Sequence, residues 1–253
     1  MRPQSGWTMI DLSIVIPVYN EEDSLPVLWA ELKAVLDAER LVFEVVFVDD
    51  GSRDGSAEII RGLRESDPRV RLVRLKANAG ETAATDAGLR AVRGRRIVTM
   101  DADLQNDPRD IPTLLRALEH WDAVTGWRVN RGDGDSIVRR VSSRTANRVR
   151  NWLSDDVIQD SGCTFRAFRR ECLRGLVLYR GFHRFVPTLL KMSGYRVLEV
   201  PVRNRPRRFG QSKYGVLNRV FVATADLLVV RWMKSRALRY DVAEDLGGDL
   251  VRE

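Results

Sequence analysis

Apolar and β-branched residues recur in short runs along the first half of the chain, each run ending in turn or carboxylate residues. Leu12 to Val18, Glu44 to Asp49, Val70 to Leu75, Arg96 to Asp101 and Ala123 to Gly126 have this character, which predicts five strands of one sheet. Between the first two the period changes. Leu25, Leu28, Trp29, Leu32, Val35 and Leu36 fall on one face of a helix that starts near Asn20 to Ser24. Ser56 to Arg64, Glu81 to Val92 and Pro108 to Glu119 predict further helices. Strands alternating with helices imply an α/β fold with a mainly parallel sheet covered on both faces. Ligands of such sheets bind beyond the carboxyl ends of the strands. Three polar clusters fall there: Tyr19-Asn20-Glu21, Asp49-Asp50-Gly51-Ser52 and Asp101-Ala102-Asp103.

A chain of 253 residues can bury one substantial core, so one catalytic domain is expected over residues 10–236. Residues 1–8 and 243–253 show no periodicity and are expected to be loose, within an N-terminal segment 1–9 and a C-terminal tail 237–253. Cys163 and Cys172 have no partner at metal-ligand spacing and read as reduced thiols in or near the core. His120 and His183 are isolated, which favours surface or packing roles over ligation. The chemistry is left to carboxylates and arginines. Cysteine usage and the lack of a secretory signal point to the cytosol or the cytosolic face of a membrane.

A formal net charge of +7 sharpens this picture, because the excess is clustered. Arg128, Arg131, Arg139, Arg140, Arg144, Arg148 and Arg150 form one group, and Arg203, Arg205, Arg207, Arg208, Lys213 and Arg219 form another with no acid between them. Both suit an anion-handling surface for phosphates or anionic headgroups, although Arg139, Arg148 and Arg150 equally fit a solvated helix face. Nucleic acid is disfavoured. No nucleic-acid-binding module is visible, and the neighbouring acidic motifs would repel a phosphodiester backbone.

The segment Arg96 to Gln105 carries the candidate chemistry. On an extended chain Asp101, Asp103 and Gln105 point the same way and can offer three hard oxygen ligands to Mg²⁺ or Mn²⁺, while Ala102 keeps the backbone uncrowded. A cation held by one or two carboxylates completes its shell with water and phosphate, so a diphosphate is the expected partner. Asp107-Pro108 separately fits a helix cap.

Pro17-Val18-Tyr19-Asn20-Glu21, Asp49-Asp50-Gly51-Ser52 and Asp101-Ala102-Asp103-Leu104-Gln105, in this order and spacing, resemble the nucleotide-sugar half of inverting family 2 glycosyltransferases. Gly126-Trp127-Arg128, Ser142-Ser143-Arg144, Asp160 to Arg166 and Arg207 to Tyr214 extend the likeness to polyprenyl-phosphate glycosyltransferases, the group of dolichyl-phosphate mannose synthases and bacterial undecaprenyl-phosphate sugar transferases. It covers about residues 10 to 236. The resemblance implies a GT-A fold, Rossmann-like, with a nucleotide-sugar half at 10–127, an acceptor half at 128–214 and an amphipathic helix at 215–236.

It also implies roles for single residues. Pro17, Tyr19, Glu21, Val48 and Asp50 would line the nucleoside pocket, although Asp50-Gly51-Ser52 is also an ordinary turn. Asp101, Ala102 and Asp103 would meet the donor, with Asp101, Asp103 and Gln105 on the metal. Arg207 and Lys213, beside Gly210, would cover the donor phosphates. Arg128, Ser143 and Arg144 would grip the acceptor phosphate, with Arg131, Arg139 and Arg140 as competitors for that task. Asp160 is the candidate base. A lipid monophosphate is already anionic near neutral pH, so orienting Arg166 or a sugar hydroxyl is an equal alternative for Asp160.

The expected activity is metal-dependent transfer of one sugar from a nucleoside diphosphate, GDP- or UDP-linked, to an undecaprenyl or dolichyl phosphate. Transfer to a sugar hydroxyl is the nearest rival, and a silent phospholipid-binding or partner-recruiting module is the rival of another class. Processive synthesis fits less well, because Arg231-Trp232 follows Leu228-Val229-Val230 where that branch resembles Gln-x-x-Arg-Trp. Arg219, Asp226 and Arg231 argue against a spanning helix over Val216 to Met233. Leu217, Val220, Phe221, Thr224, Leu227, Leu228 and Arg231 instead fit an amphipathic helix, lying in headgroups or packed on the domain. Peripheral membrane contact or a separate membrane partner is expected.

Overall fold

A computed structural model describes residues 10–129, 158–209 and 216–238, with the side chains of 216–224 excepted. The first half alternates as the periodicity predicts: β1 (Leu12–Val18), α1 (Leu25–Ala38), β2 (Phe43–Asp49), α2 (Ser56–Ser66), β3 (Val70–Arg74), α3 (Glu81–Ala91) and β4 (Arg96–Thr99). A 3-10 turn at Pro108–Asp110, α4 (Ile111–Ala117) and β5 (Ala123–Arg128) follow. The second half adds β6 (Arg166–Arg169), α5 (Val186–Met192), β7 (Val197–Val202) and α6 (Val216–Arg236). Among the described residues seven strands form one sheet in the order β3-β2-β1-β4-β6-β5-β7.

β1 and β2 are apolar on both faces, as central parallel strands must be, and alternate residues feed two separate cores. Ile14, Ile16, Val45 and Phe47 pack under α1, α2 and α4, while Val15, Val46, Val48 and Ile97 pack under α3 and α5. α3 lies close to the sheet because Gly88 has no side chain; a Cβ there would come within 2.3 Å of Val15 Cγ1.

Two strands were not anticipated, and they decide where the site is. β6 runs antiparallel between β4 and β5, pairing Thr99 with Arg166 and Thr125 with Arg166. Its first residue therefore lies at the edge where β4 and β5 end, which delivers the preceding Asp160 to Phe165 segment there. β7 runs parallel to β5, so residues 203–209 leave from the same edge. Two boundaries also differ from the sequence reading. β4 stops at Thr99, two residues short of Asp101, and the helix expected over 108–119 is a 3-10 turn followed by the short α4. Asp107 accepts the Arg109 N–H at 3.0 Å and so caps that turn.

No helix among the described residues is long and apolar enough to cross a membrane. α6 packs on the domain through Leu227 and Val230, which join Phe182, Phe185 and Leu189 in a third cluster. Asp226 meets Arg184 at 3.3 Å on the same seat. Leu228, expected beside Leu227, faces outward with Val229 and Trp232, since successive helical residues diverge by about 100°. His183 belongs to this seat. Its Nδ1 lies 2.7 Å from the Thr82 hydroxyl and its Nε2 lies 3.5 Å from Glu81. Burial, reinforced by Arg166 and Arg184, depresses the imidazole to about 3, so the folded ring is neutral.

The packing predicts that Leu227→Ala lowers stability by about 2–3 kcal/mol in urea unfolding, whereas Leu228→Ala changes it by less than about 0.5 kcal/mol. Equal effects would place both residues in the same environment. The His183 linkage has a definite sign. Its folded pKa lies below the ordinary 6.5, so below that pH only the unfolded state takes up the proton. Its contribution to stability is complete above 6.5 and falls as the pH drops toward 3, at up to about 1.4 kcal/mol per pH unit. His183→Gln should accordingly flatten the plot of unfolding free energy against pH between 6.5 and 5, and an unchanged slope would contradict a buried neutral ring.

Candidate active site

The exits of β1 and β2 are laced together by short polar side chains. Asn20, in the left-handed region at φ 53°, donates its backbone N–H to the Ser52 hydroxyl at 3.0 Å and accepts the Arg53 N–H at 2.8 Å. The Glu21 N–H donates to Ser56 Oγ at 2.9 Å, and its carboxylate accepts from the Ser24 hydroxyl at 2.9 Å. Asp50 does more than close a turn. Its carboxylate accepts the backbone N–H groups of Ala79 and Gly80 at 2.7 and 2.9 Å and the Asn78 amide at 2.9 Å, which fixes the loop entering α3. Gly51 allows this approach: it has φ +69°, and a Cβ would lie 2.7 Å from Asn78 N. Pro17, in β1, and Tyr19, just after it, are half-buried. Val48 is different. Its side chain is wholly buried against α3, so it has only backbone to offer a ligand.

Beyond β4 the chain bends rather than continuing extended. Leu104 takes φ +63°, and Asp103 turns back to accept the Gln105 N–H at 3.1 Å. The alternation expected of an extended chain therefore does not hold at 101–105; a bend keeps Asp101 and Asp103 near each other. The two acids are held unequally. The Thr164 hydroxyl donates to Asp101 Oδ2 at 2.6 Å, and the Asn106 side chain accepts the Asp101 N–H at 2.9 Å. Asp103 accepts instead from a guanidinium, with Arg207 Nη2 at 2.7 Å from its Oδ2. Burial, with the adjacent Asp103 behind it, pushes Asp101 up to about 6 against the Thr164 hydrogen bond and the fields of Arg128 and Arg166.

This donor set suits a hard divalent cation. Among the described residues no three His, Cys, Asp or Glu side chains form a group that could hold a metal, so a cation here could draw on Asp101 and Asp103, with Gln105 in the same bend. Mg²⁺ is commonly bound in this way, by one or two carboxylates plus water and phosphate. Burial and the adjacent Asp103 both raise Asp101, and a bound cation would offset both effects.

Residues 203–207 run antiparallel along the acidic segment, bridging Asn204 to Asn106 and donating the Arg205 N–H to the Gln105 carbonyl at 2.9 Å. Alternate arginines meet successive acids. Arg203 reaches Asp110 at 2.6 Å, Arg205 reaches Asp107 at 2.6 Å and Glu31 at 2.7 Å, and Arg207 reaches Asp103. Although burial works against it, pairing with Arg109 and Arg205 holds Asp107 well below the carboxylate range. Three arginines expected on an anion-binding surface are thus ion-paired with carboxylates of the same chain. Beside Asp103 opens a cavity of about 510 Å³ lined by Glu31, Leu104, Arg205, Pro206, Arg207 and Arg208.

On the other side of the acids, Arg128 and Asp160 form a two-pronged ion pair, Nε to Oδ2 at 2.7 Å and Nη2 to Oδ1 at 2.9 Å, with both side chains largely buried. Both Asp160 oxygens are taken. Its partner is Arg128 and not Arg166, which was the sequence alternative. Arg166 is buried and donates to the carbonyls of His183 at 2.6 Å and Ser161 at 3.2 Å, leaving Nε without a hydrogen bond. Cys163 and Cys172 are buried free thiols that burial raises to about 11 and 12, and His120 is exposed. Ser143, Arg144, Gly210 and Lys213 lie outside the described residues, as do Arg131, Arg139, Arg140, Arg148 and Arg150. Sequence reasoning missed Thr164, Asn106 and the pairings of Arg203 and Arg205. For the last two, arginines spaced by two opposite the Asp103, Asp107 and Asp110 series were the available signal.

The chain is 36% identical over 226 residues to the dodecaprenyl-phosphate galacturonate synthase of Rhizobium johnstonii, covering 87% of this chain and 66% of that protein. It is 37% identical over 207 residues to the undecaprenyl-phosphate 4-deoxy-4-formamido-L-arabinose transferase of Edwardsiella ictaluri, covering 81% of this chain and 63% of that protein. The chain thus spans just under two thirds of the length of these relatives. In structure it resembles Mycobacterium tuberculosis glucosyl-3-phosphoglycerate synthase, crystallised with Mn²⁺ and UDP-glucose, at a TM-score of 0.66 and 20% identity over 94% of this chain and 86% of that one. The fold is that of the GT-A glycosyltransferases. The profile of glycosyl transferase family 2 matches residues 13–176, a span that holds both aspartates of the β4 bend and the Arg128–Asp160 pair, and the chain belongs to that family.

Proposed function

We propose that this chain is an inverting, metal-dependent transferase that moves one sugar from a nucleoside diphosphate to a polyprenyl phosphate at the cytosolic face of a membrane. The observation that carries the reading is the Asp101/Asp103 pair at the sheet edge, with Arg207 on one side and the Arg128–Asp160 pair on the other. The two curated relatives, named for dodecaprenyl- and undecaprenyl-phosphate products, support the acceptor class. The Mn²⁺ and UDP-glucose bound by the structural neighbour support the donor class.

In this reading residues 10–127 form the nucleotide-sugar half, residues 128–214 form the acceptor half and also lend Arg207 and Lys213 to the donor, and the helix after 215 meets the membrane. Asp101 and Asp103, with Gln105, hold Mg²⁺ or Mn²⁺, which when bound offsets the charge on the departing nucleoside diphosphate. Pro17, Tyr19, Glu21 and Asp50 frame the nucleoside, Asp50 through the Asn78 to Gly80 loop that it fixes. Ala102 lies against the donor, Arg207 and Lys213 act on its phosphates, and Val48 takes part by its backbone. Arg128, with Ser143 and Arg144, grips the acceptor phosphate. Asp160 aims the Arg128 guanidinium, since both its oxygens are engaged there. The acceptor oxygen is already anionic near neutral pH and attacks the anomeric carbon without losing a proton.

Transfer to a sugar hydroxyl is the weaker reading, because it requires a carboxylate free to take a proton, and Asp160 is fully paired. A catalytically silent binding module would have no use for the two crowded acids beyond β4. Peripheral membrane contact is supported by the outward Leu228, Val229 and Trp232 of α6, flanked by Arg231.

The test is a panel of UDP- and GDP-sugars with undecaprenyl phosphate and Mg²⁺ or Mn²⁺, read by mass of the lipid product. Asp101→Asn should reduce turnover at least 100-fold, a loss of about 3 kcal/mol in the transition state. Asp160→Asn should raise the acceptor KM about tenfold or more while leaving the pH profile of kcat in place. A collapse of kcat with loss of its acidic limb would instead make Asp160 a base. No lipid product with any donor would overturn the reading.

A further inference from the structure

We propose that Arg207 is an internal counter-ion that competes with the divalent cation for Asp103 in the free protein, and that cation binding hands its guanidinium over to the donor diphosphate. This rests on the reading of Asp101 and Asp103 as cation ligands and adds how their charge is managed when neither cation nor donor is present.

The two acids have different kinds of partner. Asp101 is steadied by neutral groups, the Thr164 hydroxyl at 2.6 Å and the Asn106 side chain on its backbone, neither of which repels a cation at the remaining oxygen. Asp103 has one oxygen on the Gln105 N–H and the other 2.7 Å from the Arg207 guanidinium. Two cations cannot share that second oxygen without strong repulsion in so buried a place, where Asp103 is only 6% exposed. Arg207 and a metal therefore compete for this carboxylate.

Arg207 also has somewhere to go. Its side chain is about one-third exposed and lines the 510 Å³ cavity beside Asp103, together with Leu104 and Arg208. The segment that carries it is fixed at the two preceding rungs, Arg203 on Asp110 and Arg205 on Asp107 and Glu31. Alternate residues of an extended segment are about 7 Å apart, so rotation of one long side chain can release Asp103 while these rungs stay closed. A guanidinium released there is suited to diphosphate oxygens, which it can grip with two parallel hydrogen bonds. Cation and nucleoside diphosphate should then bind with positive coupling, because the cation frees the group that the diphosphate uses.

The consequence is that removing this positive side chain strengthens cation binding. Mn²⁺ binding to the full chain, followed by the electron paramagnetic resonance of free Mn²⁺ without and then with UDP or GDP, reads it directly. Arg207→Gln should bind Mn²⁺ alone about tenfold tighter than the unaltered chain, equivalent to about 1.4 kcal/mol. Arg207→Lys, which keeps the charge but loses the fork, should fall between. Asp103→Asn should bind Mn²⁺ at least tenfold more weakly. With UDP or GDP present, the gain in Mn²⁺ affinity should be smaller in Arg207→Gln than in the unaltered chain. Unchanged or weaker Mn²⁺ binding in both Arg207 variants, with Asp103→Asn still impaired, overturns the counter-ion role and leaves the metal site standing. Unaltered Mn²⁺ affinity in Asp103→Asn overturns the metal site and the counter-ion role together.

Discussion

Two carboxylates confined in a bend at the end of a central strand repel each other, and burial makes that repulsion expensive to maintain. Asp101 registers the cost directly, with its carboxyl raised to about 6 by burial and by Asp103. Such a pair persists only where the surrounding structure over-determines it. Here the restraint is visible on every side: Thr164 on one carboxylate, Arg207 on the other, the Asn106 side chain on the backbone, and a buried Leu104 in the left-handed region between Asp103 and Gln105. A protein with no use for two adjacent acids would relieve the repulsion with one amide. Keeping both is understandable when a divalent cation completes the site.

The topology serves the same end. In a purely parallel sheet only strand ends and the loops after them reach the carboxyl edge. The antiparallel β6 adds a strand beginning at that edge, so Asp160 and Thr164 arrive from the opposite chain direction to meet Arg128 and Asp101. β7 then sends the Arg203 to Arg207 segment back along the acids. The basic character of the chain reads differently in this light. Arg203, Arg205, Arg207 and Arg128 are each paired with buried or half-buried carboxylates, so much of the local positive charge is matched within the chain.

Where hydrophobic period and strand burial coincide, the fold was legible in the sequence. β1 to β5 and α1 to α3 follow from that match, because a core on both faces leaves continuous apolar runs in strands and one-sided stripes in helices. β6 was not legible. Arg166-Ala167-Phe168-Arg169 is four residues long with arginine at both ends, and what makes it a strand is the pairing with β4 and β5 rather than its own pattern. β7 contains Glu199 and Pro201, which mask its alternation. The bend at Leu104 was hidden for a related reason, since a leucine gives no local hint of positive φ. The resemblance identified the acids and arginines. Their partners were out of reach, because Thr164 lies 63 residues from Asp101, Arg207 lies 104 from Asp103, and only the folded sheet brings them together.

The central claim is that the Asp101/Asp103 bend is a seat for a cation-borne diphosphate. Calorimetric titration of the full chain with UDP and with GDP, in parallel buffers containing Mn²⁺ or EDTA, tests it most directly. The account predicts that at least one nucleotide binds in Mn²⁺ and that its affinity falls at least tenfold in EDTA. Equal affinity for that nucleotide in both buffers would contradict it, because the diphosphate would then be held without the charge that the two carboxylates are arranged to attract.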